Sequence, residues 1–179
     1  IIIEGGGKGF SASHNLKEVS GLKKREKYQK LFNLCSKLML QIVEWKKPVI
    51  AKVHGAAFAA GCQLVASCDL AYSTNDAIFA TPGVNIGLFC STPMVAVSRK
   101  VNRKRMMQML LTGEPIKANY AKEIGLNNNH FAKSKFNNEV LKIAKTIVSK
   151  SWLTIKIWIK TFNNQLEMQL RKTYAFTSK

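Results

Sequence analysis

Apolar positions along the chain follow two rhythms, and the change from one to the other marks the elements. Ile1-Ile2-Ile3 is a short β-branched run that reads as a strand; Gly5-Gly6-Gly7 and Gly9 break it, and residues 10–18 read as a loop. From residue 22 to 45 the apolar positions Tyr28, Leu31, Phe32, Cys35, Leu38, Met39, Ile42 and Trp45 recur at helical spacing. That spacing predicts an amphipathic helix, and Pro48 ends it. Residues 49–53 are a β-branched strand. The small-residue run 56–61 leads into 62–68, a buried helical segment. Residues 70–73 and 78–80 are strands separated by the polar turn Thr74-Asn75-Asp76, and Pro82-Gly83 is a turn.

Helices dominate the rest. Ser91-Thr92-Pro93 opens one, with proline inside the first turn. Asn102 caps the next, which carries Met106, Met107, Met109 and Leu110 and stops at Thr112-Gly113. A short helix over 118–124 closes at Gly125, and 136–148 is amphipathic. Residues 153–160 alternate at period two, a strand rhythm; their position after two helices favours a helix instead. Strands giving way to helices toward the C-terminus describe an α/β layered domain.

Composition narrows the class. A chain of 179 residues with 46% hydrophobic content is one domain with a substantial core. No apolar run reaches the roughly 18 residues that span a bilayer. Cys35, Cys62, Cys68 and Cys90 have neither CxxC nor metal-ligand spacing, so free buried thiols in a reducing compartment are expected. The net charge of +18 is unevenly spread. No Lys or Arg lies between Val53 and Ser98, while Lys23-Lys24-Arg25, Lys27, Lys30, Arg99-Lys100 and Arg103-Lys104-Arg105 flank that stretch. A neutral centre with a basic rim suits a phosphate-bearing ligand, although each single cation is more simply a solvated surface charge.

The segment with chemical potential is Ala59-Ala60-Gly61. Small residues admit a ligand to the backbone, and amides at a helix start are unpaired donors aided by the helix dipole. They suit a developing negative oxygen. Taken alone, the run is more simply a site of close helix–sheet packing. His14, alone in its loop, is likewise unremarkable.

Together the two segments resemble the enoyl-CoA hydratase/isomerase (crotonase) family over nearly the whole chain. The resemblance is carried by Phe10-Ser11-Ala12-Ser13-His14-Asn15-Leu16-Lys17-Glu18, Lys47-Pro48-Val49-Ile50-Ala51-Lys52-Val53-His54-Gly55, Ala59-Ala60-Gly61-Cys62-Gln63-Leu64, Ser67-Cys68-Asp69-Leu70-Ala71 and Thr112-Gly113-Glu114-Pro115-Ile116. It implies a spiral of ββα turns with C-terminal helices, residues 1–135 as the core and 136–179 as the start of the helical region. Measured against the family, the chain is expected to be a fragment lacking the first strands and the last helices. The implied ligand is an acyl-CoA thioester, whose carbonyl oxygen the backbone amides of His14 and Ala60 would hold. Ala12, Asn15, Leu16, Pro82 and Leu88 would line the CoA and substrate path. No cofactor or metal is implied beyond the thioester itself. The implied assembly is a trimer or hexamer, and the implied compartment the mitochondrial matrix, or the cytoplasm in a bacterium.

Several positions depart from the family pattern. Its two water-activating glutamates fall on Gln63 and Gly83, and an acid used by some isomerases falls on Ser91. None of the three is an acid. General acid–base catalysis is worth on the order of 10²–10⁴ in rate, so weak or absent hydration is expected while carbonyl polarisation survives. A common glycine is Ser13, which costs loop freedom if a positive φ is needed, and a common aspartate is Asn15, which keeps a turn hydrogen bond without the charge. Three functions compete: an acyl-CoA enzyme of fatty-acid or lipid metabolism with altered chemistry, a non-catalytic acyl-CoA-binding protein, and, as the minor reading, RNA binding through the basic helix 22–45.

Overall fold

The computed structural model describes residues 1–169. In chain order the elements are β1 (Ile2–Glu4), α1 (Leu16–Ser20), α2 (Arg25–Val43), β2 (Ile50–Val53), β3 (Ala56–Phe58), α3 (Ala60–Ser67), β4 (Leu70–Thr74) and β5 (Ile78–Ala80). A 3-10 turn (Pro82–Ile86) follows, then α4 (Ser91–Val97), α5 (Arg103–Thr112), β6 (Ile116–Lys117), α6 (Ala118–Glu123), β7 (Asn129–Phe131), α7 (Lys133–Val148) and α8 (Trp152–Leu166).

Two sheets share these strands. One is wholly parallel in the order β1-β2-β4-β7, and the other is β3-β5-β6. The chain makes a strand in the first sheet, crosses to the second, and returns through a helix: β2-β3-α3, then β4-β5 and the helices after them. This is the ββα spiral expected from the sequence. The step from β2 to β3 is made at Gly55 (φ +57°), where a Cβ would lie 2.6 Å from the Lys8 carbonyl oxygen; only glycine fits that corner.

The main core lies between the sheets and α3. Val53, Ala57, Cys62, Phe79, Val97, Ala118 and Ala121 are fully buried there. A smaller cluster of Ile50, Phe136 and Val140 seats α7 on the outer face of the parallel sheet. Asp69 links α3 to β2: the Val49 amide donates to its Oδ2 at 2.8 Å, and its own amide donates to the Val49 carbonyl at 3.0 Å.

Four local expectations change. Residues 56–58 form a strand of their own, because Ala57 is drawn into the core and pairs with Phe79. β6 and β7 are short, polar strands that exist by pairing with β5 and β4, respectively. The loop at 10–18 contains helix α1, capped by Asn15. Pro82-Gly83 begins a 3-10 turn rather than a simple reverse turn. The helix preferred over a strand for 153–160 is correct, and its period-two pattern has a consequence: apolar groups spread around α8 and none is buried. Among the described residues no helix is long and apolar enough to cross a membrane.

Burial pushes the Cys62 thiol up from 9.0 to about 12, with nearby Cys90 adding to the effect. Cys68 also rises to about 12, again mainly through burial, then through Asp69. Between pH 9 and 12 the unfolded chain has therefore lost protons that the folded chain keeps. Stability is unaffected by these thiols below about pH 9 and falls above it, by about 1.4 kcal/mol per pH unit for each. Urea unfolding from pH 8 to 11 is expected to show a steep loss of stability that the Cys62→Ala/Cys68→Ala variant largely lacks. Parallel pH profiles for the two proteins would contradict this.

Candidate functional site

The site forms where the first loop meets the start of α3. Ser11 runs alongside β3: its amide donates to the Ala56 carbonyl at 3.0 Å, and the Phe58 amide donates to the Ser11 carbonyl at 2.9 Å. That carbonyl then lies against Gly61. A Cβ at Gly61 would collide with the Ser11 oxygen and sit 2.8 Å from the Ser11 Cβ. The absence of a side chain at 61 is what lets the loop reach the helix start.

Both sides of this junction are strained. Ser13 has φ +90°, and Ala59, the residue before α3, has φ +45° and ψ −111°. Non-glycine residues held there cost about 1–3 kcal/mol each and cluster at functional sites. Ala59 is held by its amide to the Ala80 carbonyl and by its carbonyl to the Gln63 amide, both at 2.9 Å. The strain turns the Ala60 amide toward the loop, where it donates to Ser13 Oγ at 3.4 Å. That is long for a hydrogen bond. The His14 amide makes no hydrogen bond among the described residues. The Ala60 amide and the loop that carries His14 thus meet at Ser13, the Ala60 amide weakly used and the His14 amide unpaired among the described residues.

Around them stand residues from three helices. Gln63, one turn along α3, is 4% exposed. Its Oε1 accepts from Thr92 Oγ1 of α4 at 3.1 Å and from the Cys35 Sγ of α2 at 3.9 Å. One turn before Cys35, the Phe32 ring meets the His14 ring edge-on at 6.1 Å. Gly83 is buried against Cys90, and its amide donates to Cys90 Sγ at 3.3 Å. A Cβ at 83 would come within 2.8 Å of both that sulfur and the Leu88 carbonyl.

The structure therefore brings together His14, Ala60 and Gln63, and separately Gly83 with Cys90. Ser91 lies between Cys90 and Thr92 in the first turn of α4, exposed and without a side-chain hydrogen bond among the described residues. Ala12, Leu16 and Leu88 are exposed, and Pro82 is half-buried. Asn15 keeps its turn bond, accepting from the Lys17 amide at 3.1 Å. Sequence reasoning placed Cys35 in an apolar stripe and gave Thr92 no role beyond a helix start. Contact with Gln63 is what brings both into the site.

The profile of the enoyl-CoA hydratase/isomerase family matches residues 1–179. The chain belongs to that family. It is 46% identical over 178 residues to human enoyl-CoA hydratase domain-containing protein 3, mitochondrial, covering 99% of this chain and 59% of the relative. It is 33% identical to enoyl-CoA hydratase, mitochondrial, of Pongo abelii, covering 95% and 58%. An enoyl-CoA hydratase crystal structure from Mycobacterium smegmatis superposes with a TM-score of 0.97 at 45% identity, over 99% of this chain and 69% of that one. The human domain-containing protein 3 structure gives 0.95 at 45% identity, covering 99% and 70%. The fold is the crotonase fold, and the chain spans about three-fifths of the length of the curated relatives it matches.

Gly61→Ala is expected to destabilise this family member by about 1–3 kcal/mol through overpacking against Ser11. At about 2–4 °C per kcal/mol, a thermal scan reads a midpoint drop of several degrees. An unchanged midpoint would mean the loop yields freely.

Proposed function

We propose that the protein binds an acyl-CoA thioester with its carbonyl oxygen between the backbone amides of His14 and Ala60. The observation that carries this reading is the junction itself, where the Ser11–Gly61 contact brings the Ser13 hydroxyl, next to the unpaired His14 amide, to the Ala60 amide. Ser13 Oγ already supplies an oxygen to the Ala60 amide, at a length that a better acceptor displaces readily. A thioester oxygen gains negative character when its carbonyl is polarised, and fixed amide donors stabilise that charge. The approach runs past Ala12, Asn15, Leu16, Pro82 and Leu88, and the basic flanks attract the phosphates of CoA.

Hydration through positions 63 and 83 is weak or absent in this reading. A carboxamide does not exchange a proton usefully, and Gly83 has no side chain. Placing a glutamate at 83 requires Cys90 and the Leu88 carbonyl to move first. The protein then serves lipid metabolism by holding or polarising an acyl-CoA. The names of its relatives favour a mitochondrial location, and the matrix is the compartment we propose within it. Leu34, Leu38, Trp152, Trp158 and Phe162 stand exposed on α2 and α8, and that apolar surface favours a homo-oligomer, a trimer or hexamer.

Calorimetric titration with crotonyl-CoA is expected to show binding. Loss of the enoyl absorbance should run about 10²–10⁴ slower than for an enoyl-CoA hydratase that carries both acids. No binding would overturn the reading, and hydration at an ordinary hydratase rate would overturn the role given to Gln63 and Gly83. Light scattering behind a sizing column is expected to report a trimer or larger; a monomer would remove the oligomer proposal.

A further inference from the structure

We infer that the apolar tip that follows β5, together with the outer face of α5, docks this protein on a membrane surface that carries anionic phospholipids. The inference stands apart from the acyl-thioester reading. Between Ala77 and Gly113 the sequence has no Asp or Glu, but it has Arg99, Lys100, Arg103, Lys104 and Arg105. The same stretch presents Val84, Ile86, Leu88 and Phe89 to solvent, with Met107 and Leu111 on α5. Ile86, Leu88, Phe89 and Leu111 are each more than half exposed. Contiguous apolar surface of this kind marks an interaction site.

These groups share a face. On α5, Met107 is one turn beyond Arg103 and Lys104, and Leu111 is one turn beyond Met107, so the four line one side of the helix. Met106 and Met109 are buried on the other side. At the end of α5, a Cβ at Gly113 would lie 2.8 Å from Val84 Cγ1, and Asn85 Nδ2 donates to the Gly113 carbonyl at 3.4 Å. The helix thus abuts the 3-10 turn. The Gly87 amide donates to the Val84 carbonyl at 3.2 Å, and the Leu88 amide to the Gly83 carbonyl at 2.9 Å. Those bonds fix the tip and hold its apolar side chains at the surface.

Charge and side-chain type select the partner. Arg99 pairs with Glu167, and the Arg105 guanidinium lies over the Tyr120 ring. Arg103 and Lys104 meet no carboxylate among the described residues. Glu114, the nearest acid along the chain, follows Gly113 at the rim. Cations beside aliphatic groups match a lipid headgroup layer, where phosphates meet the cations and the acyl boundary receives the apolar tips. The bases of a nucleic acid would instead stack on aromatic rings, and Phe89 is the one ring in this face.

Co-sedimentation with vesicles of equal parts phosphatidylcholine and phosphatidylglycerol tests this. The protein is expected to bind them, and to bind pure phosphatidylcholine vesicles roughly tenfold more weakly or worse. Ile86→Ser/Phe89→Ser keeps the charge and should lower affinity for the mixed vesicles roughly tenfold. Arg103→Gln/Lys104→Gln should do the same, whereas Lys27→Gln/Lys30→Gln removes equal charge from α2 and should cost less than about twofold. Equal losses in the two charge variants, or mixed-vesicle binding unchanged by the serine pair, would mean that diffuse charge drives attachment and would overturn the inference. Failure to bind the mixed vesicles, or equal binding to both kinds, overturns it as well. Light scattering should report the same assembly for the serine variant as for the unaltered protein; a smaller assembly would show that a second copy covers this face, and the membrane proposal would fall.

Discussion

The approach of the Ser11 carbonyl to the Cα of Gly61 is the constraint on which the rest of the site depends. It ties a loop after the first strand to a helix that begins some fifty residues later. Ser11 is fixed to β3 by two backbone hydrogen bonds, so the loop cannot back away without breaking a strand contact. Gly61 is fixed by α3, whose buried face is locked into the core through Cys62 and Val65. A sheet edge and a buried helix thus meet with no side chain between them, and the loop of Ser13 and His14 takes its position at the Ala60 amide from that contact. If the junction binds a ligand as proposed, this fixed support is what it needs, because a small displacement weakens every hydrogen bond at once.

Strain is the cost of that support. Ser13 and Ala59 both hold positive φ without being glycine, one on each side of the junction. Ala59 persists there because its amide and carbonyl are both bonded to rigid neighbours. Ser13 gains less from its surroundings, but its hydroxyl occupies the Ala60 amide. The serine side chain thus gives the Ala60 amide an acceptor, something a glycine could not do. Gln63 is the polar counterpart: it is buried among donors that fix its direction.

Much of this was legible in the sequence, for identifiable reasons. The helix of residues 22–45 showed itself through spacing, and its observed limits, Arg25–Val43, lie within the predicted span. Asn102 capped α5 as expected, accepting from the Arg105 amide at 3.1 Å. β3 and β7 were illegible because Ala56-Ala57-Phe58 and Asn129-His130-Phe131 have little strand character of their own; pairing partners make them strands. At the site, motif resemblance pointed to Ala60 and His14, while the small-residue run alone favoured packing. The structure shows the packing directly, with the Ser11 carbonyl against Gly61, and that packing is what brings the His14 loop to the start of α3. Thr92 and Cys35 were missed because their role is a contact across helices far apart in sequence.

Gly83 and Cys90 behave as one unit. The sulfur fills the space that a side chain at 83 would enter, and the Gly83 amide is bonded to it. A side chain at 83 would meet the Leu88 carbonyl at 2.8 Å as well, so shrinking Cys90 alone leaves backbone in the way. Substitutions at 83 and 90 therefore act as a coupled pair, and their effects on stability will not add.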